Sequence, residues 1–410
     1  MTRLLINALA ASAGGGLTYL RNVIPKLARR PAIEATILCT PRLRREFEGT
    51  TANISFVETS DFSSAPRRFL HEQKTIANLI RRTGAQVLLS TGNFALWNSP
   101  VPQILLSRNG LYTSPDFFRD VRARGDYALW LDTLIKSWFA RQSIRRADVT
   151  IAPSQAFARE LSEWSGREVV AIHHGFNPQF FASDETPLPE HVQAELANGR
   201  DALRLLFVSH YNYYRNFETL FRALPIVKAG LRGGNLHDDL RSEKVKLYLT
   251  CRLHSRDNPG TYRAEAASSL VTQLRAENDI VELGAIPYRS LHHLYRACHI
   301  YVTPAYAESF AHPLVEAMSS GLPVIASDLP VHREICGDAA IYFPHCSPDE
   351  LADCVLRIHD DPDLAAKLSQ ASLARVRDFS WENHVARLLD LANQLKSESG
   401  QAAPPANQAQ

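Results

Sequence analysis

The sequence of 410 residues has only six cysteines, only two methionines and no long apolar run. The cysteines form no C-x-x-C pair and show no Cys/His spacing typical of a zinc site. Neither a disulfide framework nor a structural metal is therefore indicated, and we expect reduced thiols in the cytoplasm. No stretch approaches the roughly 20 consecutive apolar residues of a membrane-spanning helix. With 45% hydrophobic and 21% charged residues, the composition is typical of an ordinary globular protein.

The two ends of the chain need separate interpretation. The first residues imitate a signal peptide, with one basic residue, a short apolar stretch and a small-x-small site at residues 11–13. However, Asn7 interrupts the apolar stretch, and cleavage would remove a predicted strand that precedes a glycine loop. We therefore expect an uncleaved first strand. Residues 397–410 are of low complexity and are predicted to be a disordered tail.

The net charge of +2 hides an asymmetry along the chain. Residues 1–180 contain 23 Lys and Arg against 14 Asp and Glu, a net charge of +9, whereas the remainder carries −7. A basic N-terminal half would attract an anionic membrane surface, a lipid phosphate or nucleic acid, or it is a basic surface without a partner. Aromatic residues do not interleave with the basic ones, so we expect no nucleic-acid partner. Peripheral contact with the inner face of a membrane stays open as an alternative.

Short apolar runs alternate with amphipathic helical stretches along most of the sequence. The predicted strands cover residues 4–7, 35–38, 87–89, 103–106 and 149–152, and then 205–208, 246–250, 280–283, 300–303 and 323–327. This alternation predicts an α/β protein with parallel sheets covered on both faces. A polar stretch at 183–200 is interpreted as a linker, which gives domains at 1–185 and 198–379. A C-terminal helix is expected at about 380–396, and it can pack back on the first domain. Residues 224–244 are interpreted as a surface excursion.

Residues 127–146 place many large apolar side chains on one helical face. These are Tyr127, Trp130, Leu131, Leu134, Ile135, Trp138 and Phe139. A basic amphipathic helix with two tryptophans could lie on a membrane. Such a stripe is more often the core-facing side of a helix, and we favour that interpretation.

The segment 307–327 is the most informative for chemistry. After the strand at 300–303, a loop leads into a helix that opens near Pro313, a residue suited to the first helical position. The loop would present backbone N–H groups at a helix N-terminus, which suits a phosphate. Glu316 could accept hydrogen bonds from both ribose hydroxyls, and Glu308 could reach the hydroxyls of a sugar beyond the phosphates. Taken singly, Glu308 could equally be a loop carboxylate and Glu316 a solvated residue at a helix start.

Together these residues resemble the Glu, seven residues, Glu motif of glycosyltransferase family 4. Segments 283–308 and 327–343, the latter with Glu334, resemble the regions that flank this motif, and Gly14 to Gly16 match a glycine loop near the N-terminus. The resemblance covers essentially residues 4–395. It implies the GT-B fold, in which two Rossmann-like doubly wound domains face each other across a cleft.

The resemblance also implies a function and assigns residues to it. The expected activity is retaining transfer of a sugar from a nucleotide-diphosphate sugar to a glycan or lipid-linked acceptor, in surface polysaccharide biosynthesis, without a metal or other cofactor. Glu308 and Arg215 are assigned to catalysis and Glu316 to the donor ribose. The further donor-binding candidates are Ser309, Phe310, Ala311, His312, Leu314, His210, Asn216 and Ile286. The candidates for an acceptor or phosphate loop are Gly15, Gly16, Arg108 and Asn109.

Three departures from the family pattern keep other functions open. Ser209–His210 replaces a Gly-Arg pair, Ala311 replaces a glycine, and residues 107–110 stand where many members have a histidine. The alternatives are a nucleotide-sugar epimerase or hydrolase and a non-catalytic nucleotide-sugar binder. Asp361–Pro362–Asp363 matches a D-x-D string, but Asp-Pro before a helix is a capping signal rather than a metal site.

Overall fold

The computed structural model describes residues 1–11, 14–47, 49, 53–62, 64–233, 244–258, 260 and 262–401. The chain divides into two compact units. The first unit comprises Met1–Thr113, Asp132–Gly175 and Phe379–Gln410, and the second comprises Ser114–Leu131 and Phe176–Asp378. The second unit therefore includes a segment from the N-terminal part of the sequence, whereas the expected boundary assigned all of residues 1–185 to the first domain. The segment that begins at Phe379 belongs to the first unit.

The described residues contain thirteen β-strands. They are β1 (Thr2–Asn7), β2 (Ile33–Cys39), β3 (Ile54–Glu58), β4 (Val87–Ser90), β5 (Gln103–Leu106), β6 (Val149–Ala152), β7 (Val169–Ala171), β8 (Ala202–Phe207), β9 (Lys244–Leu249), β10 (Ile280–Glu282), β11 (Ile300–Thr303), β12 (Val324–Ser327) and β13 (Ala340–Phe343). The first seven strands form one sheet in the order β3-β2-β1-β4-β5-β6-β7, and the last six form another in the order β10-β9-β8-β11-β12-β13. All recorded strand pairs are parallel.

Helices connect the strands of both sheets. In the described residues they are α1 (Gly14–Ala28), α2 (Pro41–Arg44), α3 (Ala65–Thr83), α4 (Pro115–Ala123), α5 (Tyr127–Arg146), α6 (Gln155–Ser165), α7 (Pro178–Ala182), α8 (Glu190–Asn198), α9 (Phe217–Gly233), α10 (Glu265–Gln273), α11 (Leu291–Ala297), α12 (His312–Ser319), α13 (Pro330–Cys336), α14 (Pro348–Asp360), α15 (Pro362–Arg375) and α16 (Trp381–Gln401). None of these helices is both long and apolar enough to cross a membrane.

The first sheet is covered on both faces because successive residues of a strand point to opposite sides. In β1, Leu4 and Ile6 join a core cluster that includes residues of α1 and α16, such as Val385. Leu5, between them, joins a separate cluster with Ile76 of α3. Both faces therefore bury apolar side chains, which explains why the strands of this sheet read as nearly continuous apolar runs.

Each sheet has one point where the strand order reverses. In the first sheet the reversal lies between β1 and β4, and in the second it lies between β8 and β11. In open parallel sheets the loops that leave the carboxyl ends of such neighbouring strands diverge to opposite faces, and the crevice between them binds ligands. The segments after β8 and β11 carry Arg215 and Glu308, so this reversal places the two candidate catalytic residues at one edge of the second unit.

Most of the predicted strands are confirmed, and several other predictions are wrong. β3, β7 and β13 were not predicted as strands, and the stretch interpreted as a linker contains α8. Residues 224–233 belong to α9 rather than to an excursion, while residues 234–243 lie outside the described part. The predicted tail is helical up to Gln401, and residues 402–410 also lie outside the described part.

The prediction that the apolar stripe of α5 faces the core is also wrong. Thr133, Ser137, Ala140, Ser143 and Ile144 are the buried residues of this helix. Its large apolar side chains are mainly exposed: Tyr127, Leu131, Leu134, Ile135 and Trp138. The 3.6-residue period identified an apolar face correctly, but it carries no information on which face meets the rest of the protein.

Candidate active site

Arg215 and Glu308 form an ion pair at the strand reversal of the second unit. Arg215 ends a short 3-10 turn, Tyr213–Arg215, that follows β8, and Glu308 lies in the loop after β11. Nη1 of Arg215 donates to Oε2 of Glu308. The other carboxylate oxygen, Oε1, accepts the Ser309 N–H at 3.1 Å. The Arg215 and Glu308 side chains are 17% and 10% exposed to solvent, so the pair is mostly buried but accessible to a ligand.

The electrostatics of this pair keep both partners charged. Burial raises the pKa of Glu308, but the charge of Arg215 outweighs it, and the net pKa lies below the ordinary value. Burial lowers the pKa of Arg215, whereas the Glu308 carboxylate raises it further, so the guanidinium stays protonated. Among the described residues, Nε of Arg215 has no hydrogen-bond partner. This buried donor can bind an anionic oxygen while Nη1 keeps its contact with Glu308.

Glu316 lies in α12 and is buried against two tyrosines. Its Oε2 accepts the Tyr295 hydroxyl at 2.9 Å, and Tyr288 also hydrogen-bonds the carboxylate. Burial raises the pKa of Glu316 to about 7, although the tyrosine hydrogen bonds oppose the shift. The carboxylate is therefore a strong acceptor above neutral pH and largely protonated below it. The sequence motif identified Glu316 but gave no signal for either tyrosine.

The loop that opens α12 has an unusual backbone conformation. Ala311 is the N-cap residue with φ +64° and ψ +67°, a left-handed conformation that favours glycine. Its carbonyl accepts the Leu314 N–H at 3.0 Å. The buried Phe310 ring packs against the His312 ring, and their centroids are 4.9 Å apart. Alanine thus replaces the family glycine at this position, but the backbone keeps the left-handed conformation that favours glycine.

Two of the donor-binding candidates, Leu314 and Asn216, have side chains that are engaged in packing or hydrogen bonds within the protein. The side chain of Leu314 is completely buried in the core. Asn216 is in the left-handed region, and its Nδ2 donates to the carbonyls of Pro304 and His345 at 3.1 and 2.5 Å. Its Oδ1 accepts the Thr219 hydroxyl at 3.0 Å. The Asn216 amide therefore braces the loops around Arg215.

His210 and Ile286 lie on loops at the same edge of the second sheet. His210 follows β8, and partial burial together with the charge of Arg215 lowers the pKa of its imidazole. The ring is therefore mainly neutral at neutral pH and offers a dipolar hydrogen bond rather than a fixed charge. Ile286 follows β10 and is half-buried.

The segment 114–131 contacts residues close in sequence to Arg215 and Glu308, and no sequence motif indicated these contacts. Asp120 of α4 accepts the Tyr306 hydroxyl at 2.7 Å, two residues before Glu308. Arg124 donates to Glu218 at 2.8 Å and lies over the Tyr213 ring at 4.4 Å, two residues before Arg215. The two hydrogen bonds join residues that are 186 and 94 positions apart, so no local pattern could indicate them. They fix the two loops that carry the ion pair.

His332 is a further buried group, and it interacts electrostatically with Glu308 and Arg215. Its Nδ1 lies 2.9 Å from the Ser327 carbonyl, which favours the Nδ1–H tautomer. Burial lowers the pKa of His332 to about 4, while the charge of Glu308 opposes this shift. The imidazole is therefore neutral, and it leaves the charge balance of Arg215 and Glu308 unchanged.

The candidate residues of the first unit form a smaller arrangement. A Cβ atom added to Gly16 of α1 would lie 2.4 Å from Nη2 of Arg108, which follows β5, whereas Gly15 has open space around it. Burial lowers the pKa of Arg108 to about 10, with a partly compensating effect of Tyr19. The Asn109 side chain caps the short turn Gly110–Tyr112 by accepting the Leu111 N–H at 3.1 Å. The structure thus joins Gly16 and Arg108 and gives Asn109 a local role.

A metal-binding cluster is not found among the residues that the structure describes. Asp361 is the N-cap of α15, and its side chain accepts the Leu364 N–H at 2.9 Å. The capping interpretation of the D-x-D string is therefore confirmed.

Two family models match the chain in succession. Residues 13–180 match the model described as Glycosyltransferase Family 4, and residues 190–375 match Glycosyl transferases group 1. The chain therefore belongs to the family 4 type of glycosyltransferases, and its two parallel α/β sheets are those of the GT-B fold.

Individual relatives are similar to parts of the chain. The O-antigen chain mannosyltransferase B of Escherichia coli is 33% identical over 114 residues, 28% of this chain and 30% of the relative. The D-inositol 3-phosphate glycosyltransferase of Streptomyces scabiei is 25% identical over 251 residues, 60% of this chain and 53% of the relative. The two matches thus span 30% and 53% of the lengths of these relatives. The solved structure of Anabaena HepE in complex with UDP and glucose has a TM-score of 0.68 at 15% identity and covers 96% of this chain and 100% of that one.

Proposed function

We propose that this protein is a retaining glycosyltransferase that moves a sugar from a nucleotide-diphosphate sugar to a glycan or lipid-linked acceptor. The observation that carries this proposal is the Arg215–Glu308 pair beside the opening of α12, with Glu316 in the same unit. In this arrangement Nε of Arg215 and the N-terminus of α12 can bind a diphosphate. Glu316 can accept the ribose hydroxyls, and Glu308 can accept hydroxyls of the sugar.

The chemical step breaks the bond between the anomeric carbon and its phosphate oxygen. An acceptor hydroxyl forms the new bond to the same carbon, and its proton passes to the departing diphosphate. Negative charge grows on the diphosphate in the transition state, where Arg215 and the helix N-terminus stabilise it. Attack on the face that the diphosphate leaves retains the anomeric configuration. Glu308 is paired with Arg215, so we assign it to sugar binding and electrostatic stabilisation rather than to a covalent intermediate.

The biological setting is part of the proposal. Similarity to an O-antigen chain mannosyltransferase supports surface polysaccharide biosynthesis, although the similarity covers a minor part of the chain. The six cysteines are all free thiols, which supports a reducing, cytoplasmic location. The basic N-terminal half supports peripheral contact with the inner face of a membrane. The complex of the structural neighbour with UDP and glucose makes UDP-glucose a sensible first donor to test.

The proposed reaction can be tested with a panel of nucleotide-diphosphate sugars, including UDP-glucose and a mannosyl donor. Each donor is incubated with a lipid-linked glycan and, separately, with D-inositol 3-phosphate, and the products are separated. We expect one donor to yield a glycosylated glycan whose anomeric coupling constant matches that of the donor. Release of free sugar alone would indicate a hydrolase, and an altered nucleotide sugar would indicate an epimerase. Binding without any product would indicate a non-catalytic binder.

A further inference from the structure

Helix α5 has an inverted distribution of side chains in the part that belongs to the first unit. It buries small and polar residues such as Ser137, whose hydroxyl donates to the Tyr112 carbonyl at 2.9 Å. It exposes Leu134, Ile135 and Trp138, with 42%, 49% and 53% of their surface accessible. A helix that packs only against its own domain normally buries its large apolar side chains. This face therefore indicates an interaction outside the folded unit.

Helix α3 adds to the same region of the first unit. Its Leu70 is 59% exposed and follows Phe69, whose ring contacts the Phe139 and Trp97 rings at centroid distances of 5.4 and 5.7 Å. The Trp97 ring in turn lies 6.4 Å from that of Trp138. This aromatic cluster holds α3 alongside α5. We refer to Leu70, Leu134, Ile135 and Trp138 as the α5 surface.

The charged residues of these two helices are mostly basic. Helices α3 and α5 together contain nine Lys and Arg against two Asp and Glu. Both acids pair with cations of their own helix, Glu72 with Arg68 at 3.4 Å and Asp132 with Lys136 at 2.5 Å, which leaves a net charge of +7 (9 − 2) on the two helices. The Arg146 guanidinium lies over the Trp97 ring at 4.4 Å, which places a cation beside the aromatic cluster. Apolar side chains and tryptophan next to basic residues are typical of segments that lie at the interface of an anionic membrane.

We propose that the α5 surface docks on an anionic phospholipid membrane, with Leu134, Ile135 and Trp138 at the level of the headgroups and the basic residues of α3 and α5 beside the lipid phosphates. The charge complementarity favours lipid over a protein partner, because the headgroups of an anionic bilayer present many negative charges to helices with a net charge of +7. This inference rests on the proposed function to the extent that a lipid-linked acceptor gives the enzyme a reason to be at the membrane.

The test is flotation of the full chain with vesicles, without donor or acceptor. One set of vesicles is phosphatidylcholine alone, and the other is an equal mixture of phosphatidylcholine and phosphatidylglycerol. We expect binding to the mixed vesicles, loss of most binding at high salt and little binding to phosphatidylcholine alone. The triple variant Leu134→Ser, Ile135→Ser, Trp138→Ser should bind the mixed vesicles roughly tenfold more weakly or worse, because its apolar contacts are lost.

A matched control removes exposed apolar side chains from the second unit. Phe180 and Leu373 are 69% and 45% exposed, and the variant Phe180→Ser, Leu373→Ser should float as the wild type does. The control variant should unfold at the wild-type temperature. The triple variant loses the contacts of Trp138 with Trp97 and Phe139, so it should unfold at a somewhat lower temperature but still in one cooperative transition. Equal flotation of the triple variant and the wild type would overturn the proposal. The proposal would also be overturned if the wild type were a dimer in solution and the triple variant a monomer, since the surface would then join two copies.

The outcome is separable from that of the proposed reaction. Flotation reports only on the surface, whereas transfer to a water-soluble glycan reports only on the active site. We expect the triple variant to retain transfer to the soluble glycan. Vesicle binding without any transfer would uphold the surface and refute the reaction. Transfer without vesicle binding would do the reverse.

Discussion

The two units place different chemistry at the ligand edges of similar sheets. In the second unit, Arg215 and Glu308 neutralise each other, and Glu316 is held by tyrosine hydroxyls. In the first unit, the guanidinium of Arg108 packs against Gly16 near Tyr19, and burial lowers its pKa. The second edge is therefore assembled around opposite charges, whereas the first holds a buried guanidinium beside the start of α1.

In the proposed reaction the two edges would have separate tasks. A preassembled ion pair is suited to stabilising a transition state, because its charged groups are already in place and need no reorganisation during the reaction. A buried cation beside a glycine helix start suits recognition of an anionic or strongly hydrogen-bonding group. We therefore expect substitutions in the second unit to lower kcat or nucleotide affinity, and substitutions in the first to act on the acceptor.

The largest effect is expected at Arg215. Arg215→Ala removes the cation to which the proposed reaction assigns the departing diphosphate, and it takes the ion-pair partner away from Glu308. We expect kcat to fall by roughly 10²–10³-fold, with a smaller change in KM. Arg215→Lys should recover only part of the rate, because an ammonium cannot contact two oxygens in the geometry of a guanidinium.

Steady-state kinetics on the three proteins, with Arg357→Ala as control, test this expectation. Arg357 is an exposed cation on α14 of the same unit. A near-normal kcat for Arg215→Ala would place the diphosphate elsewhere and remove the distinction between the two edges.

The second effect concerns Glu316 and depends on pH. Because burial raises the pKa of Glu316 to about 7, its carboxylate is lost as the pH falls from 8 to 6. Affinity for the free nucleoside diphosphate should fall over the same range, and Glu316→Gln should weaken it roughly tenfold at pH 8 and remove this pH dependence. Isothermal titration calorimetry across this range measures both quantities.

The ionisation of Glu316 should raise nucleotide affinity but lower the stability of the protein. A raised carboxyl pKa means that the folded state binds the proton more tightly than the unfolded state does, so stability falls as the pH rises from about 4.5 to about 7. Glu316→Gln should therefore raise the unfolding temperature at pH 8. A variant that loses both affinity and stability would indicate a structural role for the carboxylate.

The third effect separates two adjacent glycines of the first unit. Gly16→Ala places a Cβ atom 2.4 Å from Nη2 of Arg108 and 3.0 Å from the Ala11 backbone, so the guanidinium must move. Gly15→Ala meets no atom within 4 Å. We expect Gly16→Ala to raise the acceptor KM roughly tenfold, because small displacements of a binding group are costly, and Gly15→Ala to have little effect. Equal effects of the two substitutions on acceptor KM would remove Arg108 from the acceptor site.

The sequence predicts the architecture better than the site, for physical reasons. All residues of β4 and β5 are buried and most are apolar, whereas β3 is partly exposed and β7 has only three residues, so periodicity misses both. The Glu308 and Glu316 positions follow from a local motif. Tyr295, Asp120 and Arg124 reach the site through long-range contacts, so no local pattern indicates them. The exposed face of α5 could not be predicted, because a helical period does not specify which face is buried.

The smallest effect is expected at Ala311, where the second unit keeps a glycine geometry without a glycine. The left-handed conformation costs a non-glycine residue about 1–2 kcal/mol, and glycine loses about 0.4–1 kcal/mol through the greater freedom of the unfolded chain. Ala311→Gly should therefore raise the free energy of unfolding by about 0.5–1 kcal/mol. Ala317→Gly, inside the same helix and fully buried, should lower it by about 1 kcal/mol. Urea unfolding of both variants gives the two signs, and a destabilised Ala311→Gly would mean that contacts of the Ala311 methyl group, rather than tolerated strain, hold this loop.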